Sequence, residues 1–220
     1  MIKKPKTTRK RQKPVYAFID ASNLFYGGEK SLGWSIDYEK LFEYLKVKYK
    51  ARRVFYYGGI ELHGFKYSIL DKELINLTKL INYLESKLKI EKLSEAEIML
   101  LAKHIQRVKF YRKLNKFGYE LKLKPVKIFT DGEGNTTKKA NCDVDMTFDL
   151  MRLMEQYSEA VILSGDGDFA IVLKYLKNKK RDIIILSRGE RTAKEMRQIA
   201  GSNFRDFHYL RELIKYEPKR

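Results

Sequence analysis

The sequence predicts an α/β fold in which helices cover both faces of a parallel sheet. Three short apolar runs, at residues 15–20, 160–164 and 182–187, are continuous rather than alternating. Continuous runs are typical of strands that are buried on both faces. Segments with helical periodicity separate the runs, and this order favours parallel strands joined by right-handed crossovers.

The first half of the chain is predicted to contain three strands and three helices. Apolar residues at helical spacing indicate the helices, and β-rich apolar runs indicate the strands. In chain order these are a strand at 15–20, a helix at 37–50, a strand at 53–57, helices at 71–89 and 94–116, and a strand at 119–129. Gly118 is a C-terminal stop for the last helix, and Pro125 predicts that the last strand is an edge strand or carries a bulge.

The second half alternates helix and strand more regularly. We expect helices at 143–157, 168–178 and 191–200, the last one closed by Gly201, around strands at 160–164 and 182–187. The turn-rich segment 131–135 begins like a calcium loop. Thr136 stands where that loop needs Gly and Cys142 where it needs a bidentate Glu, so a solvated turn is predicted instead.

The chain is strongly basic. Its 220 residues include 46 Lys and Arg against 28 Asp and Glu, a formal net charge of +18. Seven basic residues lie in segment 1–14, which has no acid and is predicted to be a disordered arm. The segment is either a solubilising tail or an arm that contacts phosphate, and the sequence favours neither. The remaining charge lies in one predicted domain, 15–215, with a tail at 216–220, and favours a polyanion such as RNA or DNA.

Composition also excludes several classes of protein. No run approaches the roughly 20 apolar residues of a membrane helix, and no apolar segment follows the basic N-terminus, so neither a membrane protein nor a secreted precursor is expected. The single cysteine, Cys142, excludes an intramolecular disulfide and a thiolate cluster, so structural zinc is not expected either. A reducing, cytoplasmic location is the resulting prediction.

Acidic and polar residues follow the predicted strands where the chain leaves the sheet, the edge at which open α/β sheets bind ligands. They are Asp20 and Asn23 after the first strand, Ser164, Asp166 and Asp168 after the strand at 160–164, and Asp143, Asp145 and Asp149 on the helix at 143–157. Each one alone is explained by a cap or a turn. Carboxylates converging on one edge would repel one another unless cations are present, and oxygen ligands without a His or Cys cluster suit Mg²⁺ or Mn²⁺.

A divalent ion beside basic surface predicts phosphodiester hydrolysis, because it polarises the phosphodiester and lowers the pKa of a water. Lys139 and Arg188 are candidates for binding phosphate oxygens, and Tyr26 and Trp34 for stacking on bases. The three histidines fall outside the acidic motifs. His63 is expected in a loop, His104 in a helix and His208 in a terminal strand.

Three acidic motifs resemble those of the NYN domain family, LabA-like branch, within the PIN-like nuclease superfamily. They are Phe18-Ile-Asp20-Ala-Ser-Asn23-Leu, Asn141-Cys-Asp143-Val-Asp145 with Asp149, and Val161-Ile-Leu-Ser164-Gly-Asp166-Gly-Asp168-Phe169. The resemblance covers roughly residues 15–30 and 110–212, and a family-variable helical elaboration is expected at 60–109. It implies a PIN-like, Rossmann-like parallel sheet of about five strands in the order 3-2-1-4-5, with one or two Mg²⁺ or Mn²⁺ ions at its carboxyl edge, and ribonuclease activity.

The resemblance also implies roles for individual residues. Asp20, Asp143, Asp166 and Asp168 match the metal-binding acids, and Asn23 and Ser164 match polar positions that support them. Asp145 is an auxiliary candidate, able to share an ion with Asp143 only if the helix starts after Asp143. Asp149 is expected to support the site indirectly or to lie at the surface. The spacing of Lys139 to Asp143 departs from the family's pattern, which leaves the role of Lys139 open.

The predicted function is that of a metal-dependent ribonuclease, an endonuclease, which hydrolyses RNA with a metal-activated water. RNA is favoured over DNA as the partner, and a homo-oligomer is an open possibility. Two alternatives stand beside it. One is a non-catalytic RNA-binding or regulatory module on the same fold. The other is a small-molecule phosphatase, which is weakened because Ser22 occupies the position two residues after Asp20 where a second Asp would be needed.

Overall fold

The computed structural model describes residues 13–25, 30–68, 70, 74–90, 92–130 and 136–218. Its centre is a six-stranded parallel sheet in the order β3-β2-β1-β6-β7-β8. The strands are β1 (Val15–Asp20), β2 (Ala51–Ile60), β3 (Glu120–Pro125), β4 (Lys127–Thr130), β5 (Thr136–Lys139), β6 (Glu159–Leu163), β7 (Asp182–Ser187) and β8 (Phe204–Asp206). Taking the parallel strands in chain order, the predicted order 3-2-1-4-5 is confirmed, and β8 adds a short sixth strand at one edge.

Helices pack on both faces of this sheet. They are α1 (Ala21–Asn23), α2 (Lys30–Leu32), α3 (Tyr38–Tyr49), α4 (Leu77–Ile90), α5 (Glu95–Phe117), α6 (Asp143–Arg152), α7 (Ala170–Asn178), α8 (Lys194–Ala200) and α9 (Arg211–Ile214). Short 3-10 turns occupy Gly167–Phe169, Gly189–Arg191, Gly201–Asn203 and Phe207–Leu210. None of the helices in these described stretches is both long enough and apolar enough to cross a membrane.

The core lies in two layers because successive residues of a strand point to opposite faces of the sheet. Ala17 and Ile19 of β1 pack with the apolar faces of α3, α4, α5 and α9. Phe18, between them, packs on the opposite face with α6, α7 and α8. Burial on both faces is the reason that the strands read as continuous apolar runs.

The long helix α5 shows how local sequence sets element ends. Ser94 accepts a hydrogen bond from the Glu97 N–H, and the Glu97 carboxylate accepts one from the Ser94 N–H, which together form a capping box. At the other end Gly118 has φ +104°, a left-handed conformation that favours glycine. The predicted stop at Gly118 is therefore confirmed.

Several predicted boundaries are wrong. The segment 119–129 is divided at Val126 into the edge strand β3 and the strand β4, which pairs with β5 in an antiparallel hairpin that was not predicted. Pro125, at the end of β3, is in an edge strand as expected. The turn at 131–135 lies outside the described residues.

Several helices are shorter than predicted, among them α4, which begins at Leu77 rather than at 71, and one residue predicted in a strand lies in a 3-10 turn. Helix α6 ends at Arg152 rather than at 157, because the chain turns so that Tyr157 is buried and its hydroxyl donates to the Leu150 carbonyl at 2.7 Å. Short 3-10 turns precede α7 and α8, which begin at 170 and 194. His208 lies in a 3-10 turn because Asp206 accepts a hydrogen bond from its N–H at 2.8 Å and so caps that turn.

The basic N-terminal segment meets the body at its last residues. The Lys13 ammonium is 2.9 Å from a Glu155 carboxylate oxygen, and the Lys13 carbonyl accepts a hydrogen bond from the Ser158 hydroxyl. Residues 1–12, which include most of the predicted arm, lie outside the described residues.

Candidate active site at the carboxyl edge of the sheet

The candidate site lies where the strand order of the sheet reverses. β1 and β6 are neighbours. After β1 the chain continues to β2 on one side of this pair, and after β6 it continues to β7 on the other side. A crevice outside the carboxyl ends of two such strands is the usual ligand site of an open α/β sheet. Asp20 is the last residue of β1, and Ser164 immediately follows β6.

Asp20 is held by hydrogen bonds to both of its carboxylate oxygens. Oδ1 accepts from the backbone N–H groups of Ser22 at 3.0 Å and Asn23 at 3.2 Å, and so caps the short helix α1. Oδ2 accepts from the Ser164 hydroxyl at 3.1 Å, which joins the ends of β1 and β6. The side chain therefore has a fixed orientation at the centre of the edge.

The electrostatic state of Asp20 is unusual. Burial raises the pKa of its carboxyl to about 6, the Asn23 N–H opposes the rise, and the negative charge of Asp143 adds to it. Only 6% of the residue is exposed. A buried acid with a second acid in electrostatic reach is stabilised in its ionised form by a cation. These oxygen donors fit a hard divalent ion.

The loop after β6 is tied to the loop after β1. Asn23 Oδ1 accepts a hydrogen bond from the Gly165 N–H at 2.9 Å, and the Asp166 N–H donates to the Ser164 hydroxyl at 3.2 Å. Asp166 Oδ1 in turn accepts from the Asp168 N–H at 3.0 Å and caps the following 3-10 turn. The structure thus brings together Asp20, Asn23, Ser164 and Asp166 in one hydrogen-bonded network, with Asp168 exposed beside it.

Gly165 is required by a close approach of two loops. A Cβ at this position would lie 2.9 Å from the Thr192 hydroxyl and 3.0 Å from the Thr192 Cα. The Gly165 carbonyl also accepts a hydrogen bond from the Ala193 N–H at 2.9 Å. The loop that follows β7 is thereby packed directly against the acidic loop.

The three acids of α6 occupy different surroundings. Asp143 is the first residue of the helix, and its N–H donates to the Asn141 side chain at 3.1 Å. Asp145 forms an ion pair of 2.7 Å with Lys124 of β3. Because α6 starts at Asp143, the helix start that would let Asp143 and Asp145 share one ion is not observed.

Asp149 is not a surface acid. It is buried, and Asp149 Oδ2 accepts a hydrogen bond from the Tyr57 hydroxyl at 3.0 Å. Asp149 Oδ1 accepts from the Arg152 Nε at 2.9 Å and from its Nη2 at 2.6 Å. The carboxylate therefore links α6 to β2, which is a structural role.

The predicted phosphate ligands and aromatic contacts have mixed outcomes. The Arg188 guanidinium is bound to Glu190 at 2.9 Å and to Asp206 at 3.4 Å, and its side chain is only 14% exposed. Lys139 is the last residue of β5, but its side chain lies outside what the structure describes, as does all of Tyr26. Trp34 is half-buried and packs against the core layer that contains Ala17 and Ile19.

A cleft that the sequence did not predict opens beside Asp20. Its volume is about 650 Å³, and it begins at Ala21 and Ser22. Arg107 and Phe110, one turn apart on α5, form part of its wall, and the exposed ring of Phe25 forms another part. Spacing of three residues puts a cation and an aromatic ring on one face of a helix, but only the tertiary structure brings that face to the sheet edge.

Taken together, the doubly wound parallel sheet and its acidic carboxyl edge define an α/β protein of the kind that binds ligands at a strand switch point. The family model of the NYN domain matches residues 67–207, and the chain belongs to the NYN domain family. It is LabA-like, as the motifs predicted, and its family is one of PIN-like nucleases. The match includes the helical region 67–109, for which the motifs gave no alignment, and does not extend to residues 15–30, which carry the first motif.

Similarity to individual proteins extends over most of the chain. The low amplitude and bright protein LabA of Synechococcus elongatus is 27% identical over 206 residues, which are 90% of this chain and 86% of LabA. The crystal structure of a Vibrio parahaemolyticus protein of unknown function has a TM-score of 0.59 at 15% identity, over 90% of this chain and 95% of that one. The second similarity shows the fold alone.

Proposed function

We propose that this protein is a metal-dependent ribonuclease that hydrolyses phosphodiester bonds of RNA endonucleolytically at the carboxyl edge of the sheet. The observation that carries the proposal is the buried Asp20 carboxyl. Its pKa is raised to about 6 by burial and by the negative charge of Asp143. An acid in this state is costly to ionise without a cation beside it. Membership of a PIN-like nuclease family supports the same chemistry.

Four carboxylates are proposed to hold Mg²⁺ or Mn²⁺: Asp20, Asp143, Asp166 and Asp168. Their oxygens are the ligands that these ions prefer. The ion, when bound, polarises the phosphodiester and lowers the pKa of a water. Asn23 and Ser164 support the metal-binding acids. Their hydrogen bonds to Gly165 and Asp20 hold the loops after β1 and β6 at fixed positions. Asp145 remains an auxiliary candidate, although Lys124 engages it.

RNA is the proposed substrate class. The net charge of +18 favours a polyanion, and the cleft beside Asp20 combines the Arg107 cation with the aromatic rings of Phe25 and Phe110. Unpaired bases stack on aromatic side chains and their phosphates bind cations, so such a cleft suits single-stranded RNA better than a duplex.

We propose Lys139 and Arg188 as further phosphate ligands. For Arg188 to bind phosphate, its ion pair with Glu190 or with Asp206 must break. A cytoplasmic location is part of the proposal.

The test is a cleavage time course on labelled single-stranded and hairpin RNA, with matching DNA, in Mg²⁺, Mn²⁺ or EDTA. Asp166→Asn is the test variant, because asparagine keeps the cap of the 3-10 turn and removes the charge. Asp182→Asn is the control, because Asp182 is an exposed acid at the opposite end of the sheet. We expect metal-dependent RNA cleavage that Asp166→Asn abolishes and Asp182→Asn preserves.

A non-catalytic RNA-binding module is the second candidate. The aromatic cleft, which carries both Arg107 and Glu61, favours it independently of the aspartates. RNA binding measured on the same proteins separates the two functions. Binding by all three proteins without metal-dependent cleavage of any RNA would replace the nuclease by the module. Hydrolysis of a chromogenic phosphate ester at a rate comparable with RNA cleavage would instead favour a phosphatase.

A further inference from the structure

A second cluster of possible metal ligands lies at the junction of β2 and α5, and one of its members, Glu61, lines the cleft that begins at Ala21 and Ser22. Its members are Glu61, which directly follows β2, His63, two residues further on, and His104 of α5. One ligand atom from each of the three side chains lies within 4.8 Å of the other two. None of the acidic motifs includes these residues.

The contacts within this cluster orient its donor atoms towards one another. The His63 Nε2 and the His104 Nδ1 are in direct contact. The His104 Nε2 is 2.9 Å from Glu61 Oε1, and the His63 Nε2 is 3.8 Å from Glu61 Oε2. Because His63 contacts one nitrogen of His104 and Glu61 the other, binding of one ion by all three side chains replaces at least one of these contacts with a bond to the ion.

The surroundings hold the cluster in place. His104 is only 5% exposed. His63 has φ +50°, a left-handed conformation that is uncommon for residues other than glycine. The Tyr83 hydroxyl and the Lys87 ammonium of α4 each donate to the His63 carbonyl at 3.1 Å, which stabilises this conformation. The loop conformation that presents His63 to the buried His104 is thus held by two hydrogen bonds from α4.

We propose that Glu61, His63 and His104 form a binding site for Zn²⁺ or a first-row divalent ion with the same preference for imidazole. Two imidazole nitrogens and one carboxylate oxygen match a zinc ligand set with one position left for water or a further ligand, and imidazole disfavours Mg²⁺. In the metal-free neutral pair, one of the two touching nitrogens carries a proton. When the His63 Nε2 and the His104 Nδ1 both bind the ion, the ring that carried this proton holds it on its other nitrogen instead. The ion would fasten the loop after β2 to α5.

The test uses Zn²⁺ alone, and Co²⁺ as its visible counterpart, on the full chain. Calorimetry measures affinity and stoichiometry, and the visible absorption of Co²⁺ reports its coordination. We expect one equivalent of zinc, and an increase in Tm of about 5 to 10 °C at a zinc concentration a hundred times Kd. His63→Asn is the principal variant, because His63 is in a half-exposed loop and asparagine tolerates its positive φ. Glu61→Gln is the second.

Two controls separate this site from the rest of the molecule. His208→Asn removes the third histidine, which is exposed and distant in sequence, and Asp166→Asn alters the acidic edge. We expect zinc affinity to fall at least about tenfold in His63→Asn and in Glu61→Gln and to be unchanged in both controls. Equal zinc affinity in His63→Asn and the native chain would overturn the site. So would loss of binding in Asp166→Asn, or no zinc-dependent change in Tm.

Discussion

Asp20 shows how one residue links stability to the proposed chemistry. Its folded-state pKa of about 6 exceeds the ordinary value of 3.8, so the native state binds more protons than the unfolded state between these two pH values. The free energy of unfolding of the metal-free protein therefore falls as the pH rises through that window. The total loss is up to about 3 kcal/mol, because each pKa unit corresponds to about 1.4 kcal/mol.

Asp20→Asn removes this loss. In EDTA we expect the variant to be more stable than the native chain at neutral pH, by up to about 3 kcal/mol, and the difference to vanish towards pH 4. Denaturant unfolding from about pH 4 to pH 8 measures it. Saturating Mg²⁺ should stabilise the native chain and not the variant. Asp168→Asn is the control, since Asp168 is exposed. A native chain whose metal-free stability rises over this pH range would contradict the account.

Helix α6 depends on a buried carboxylate for its attachment to the sheet. Asp149→Ala leaves the buried Tyr57 hydroxyl without its acceptor and removes the partner of Arg152. We expect a loss of about 2 to 3 kcal/mol in the free energy of unfolding, measured with denaturant. Asp145→Ala on the same helix is the control. Its pair with Lys124 is about one-third exposed on average, so its loss should cost less than about 1 kcal/mol. Equal effects of the two substitutions would refute the anchoring role.

Helix α5 presents two exposed arginines to different cavities. Arg107 lines the cleft beside Asp20, whereas Arg112 lines a separate cavity of about 440 Å³ near the start of β3. Arg107→Gln should weaken binding of single-stranded RNA of any sequence and reduce the slope of log K against log salt concentration by about 1. Arg112→Gln should leave both quantities close to the native values. Equal losses would mean that RNA binds by net charge rather than in the cleft.

At the scale of the whole molecule, positive charge is divided between the N-terminal segment and the folded body. Removing residues 1–12 takes away six of the eighteen surplus positive charges and leaves twelve. We expect weaker, less salt-dependent RNA affinity, and metal-dependent cleavage that still requires Asp166, because the acidic edge lies entirely in the body. Cleavage assays on the truncated chain measure this. Loss of cleavage at saturating RNA would show instead that the segment contributes to the reaction.

Agreement between sequence and structure is best for the sheet. The runs at β1, β6 and β7 are apolar between their ends because both faces are covered, and this property is visible without knowing the partners. Agreement is poorest at element ends and short elements. The early end of α6 depends on Tyr157 folding back to Leu150, and the hairpin of β4 and β5 depends on pairing between two four-residue segments. Local patterns carry little information on either.

The positions of some candidate site residues could likewise be predicted from the sequence, and those of others could not. Asp20, Ser164 and Asp166 could be predicted to lie together because parallel strands end at one edge, and the structure joins them by hydrogen bonds. The individual positions of Asp149 and Trp34 could not, because burial depends on what packs above them.

The sequence by itself determined the doubly wound parallel sheet, the NYN family and the strand ends that carry the acids, since these depend on apolar runs and on residues adjacent in the chain. Only the tertiary structure decided that Asp20 is buried with a raised pKa, that Arg107 and Phe110 face the same cleft as Ser22, and that Glu61 and His63 meet His104. The physical reason is sequence separation. About 40 residues lie between the two histidines, and no spacing rule connects side chains that meet only when a helix packs on a sheet.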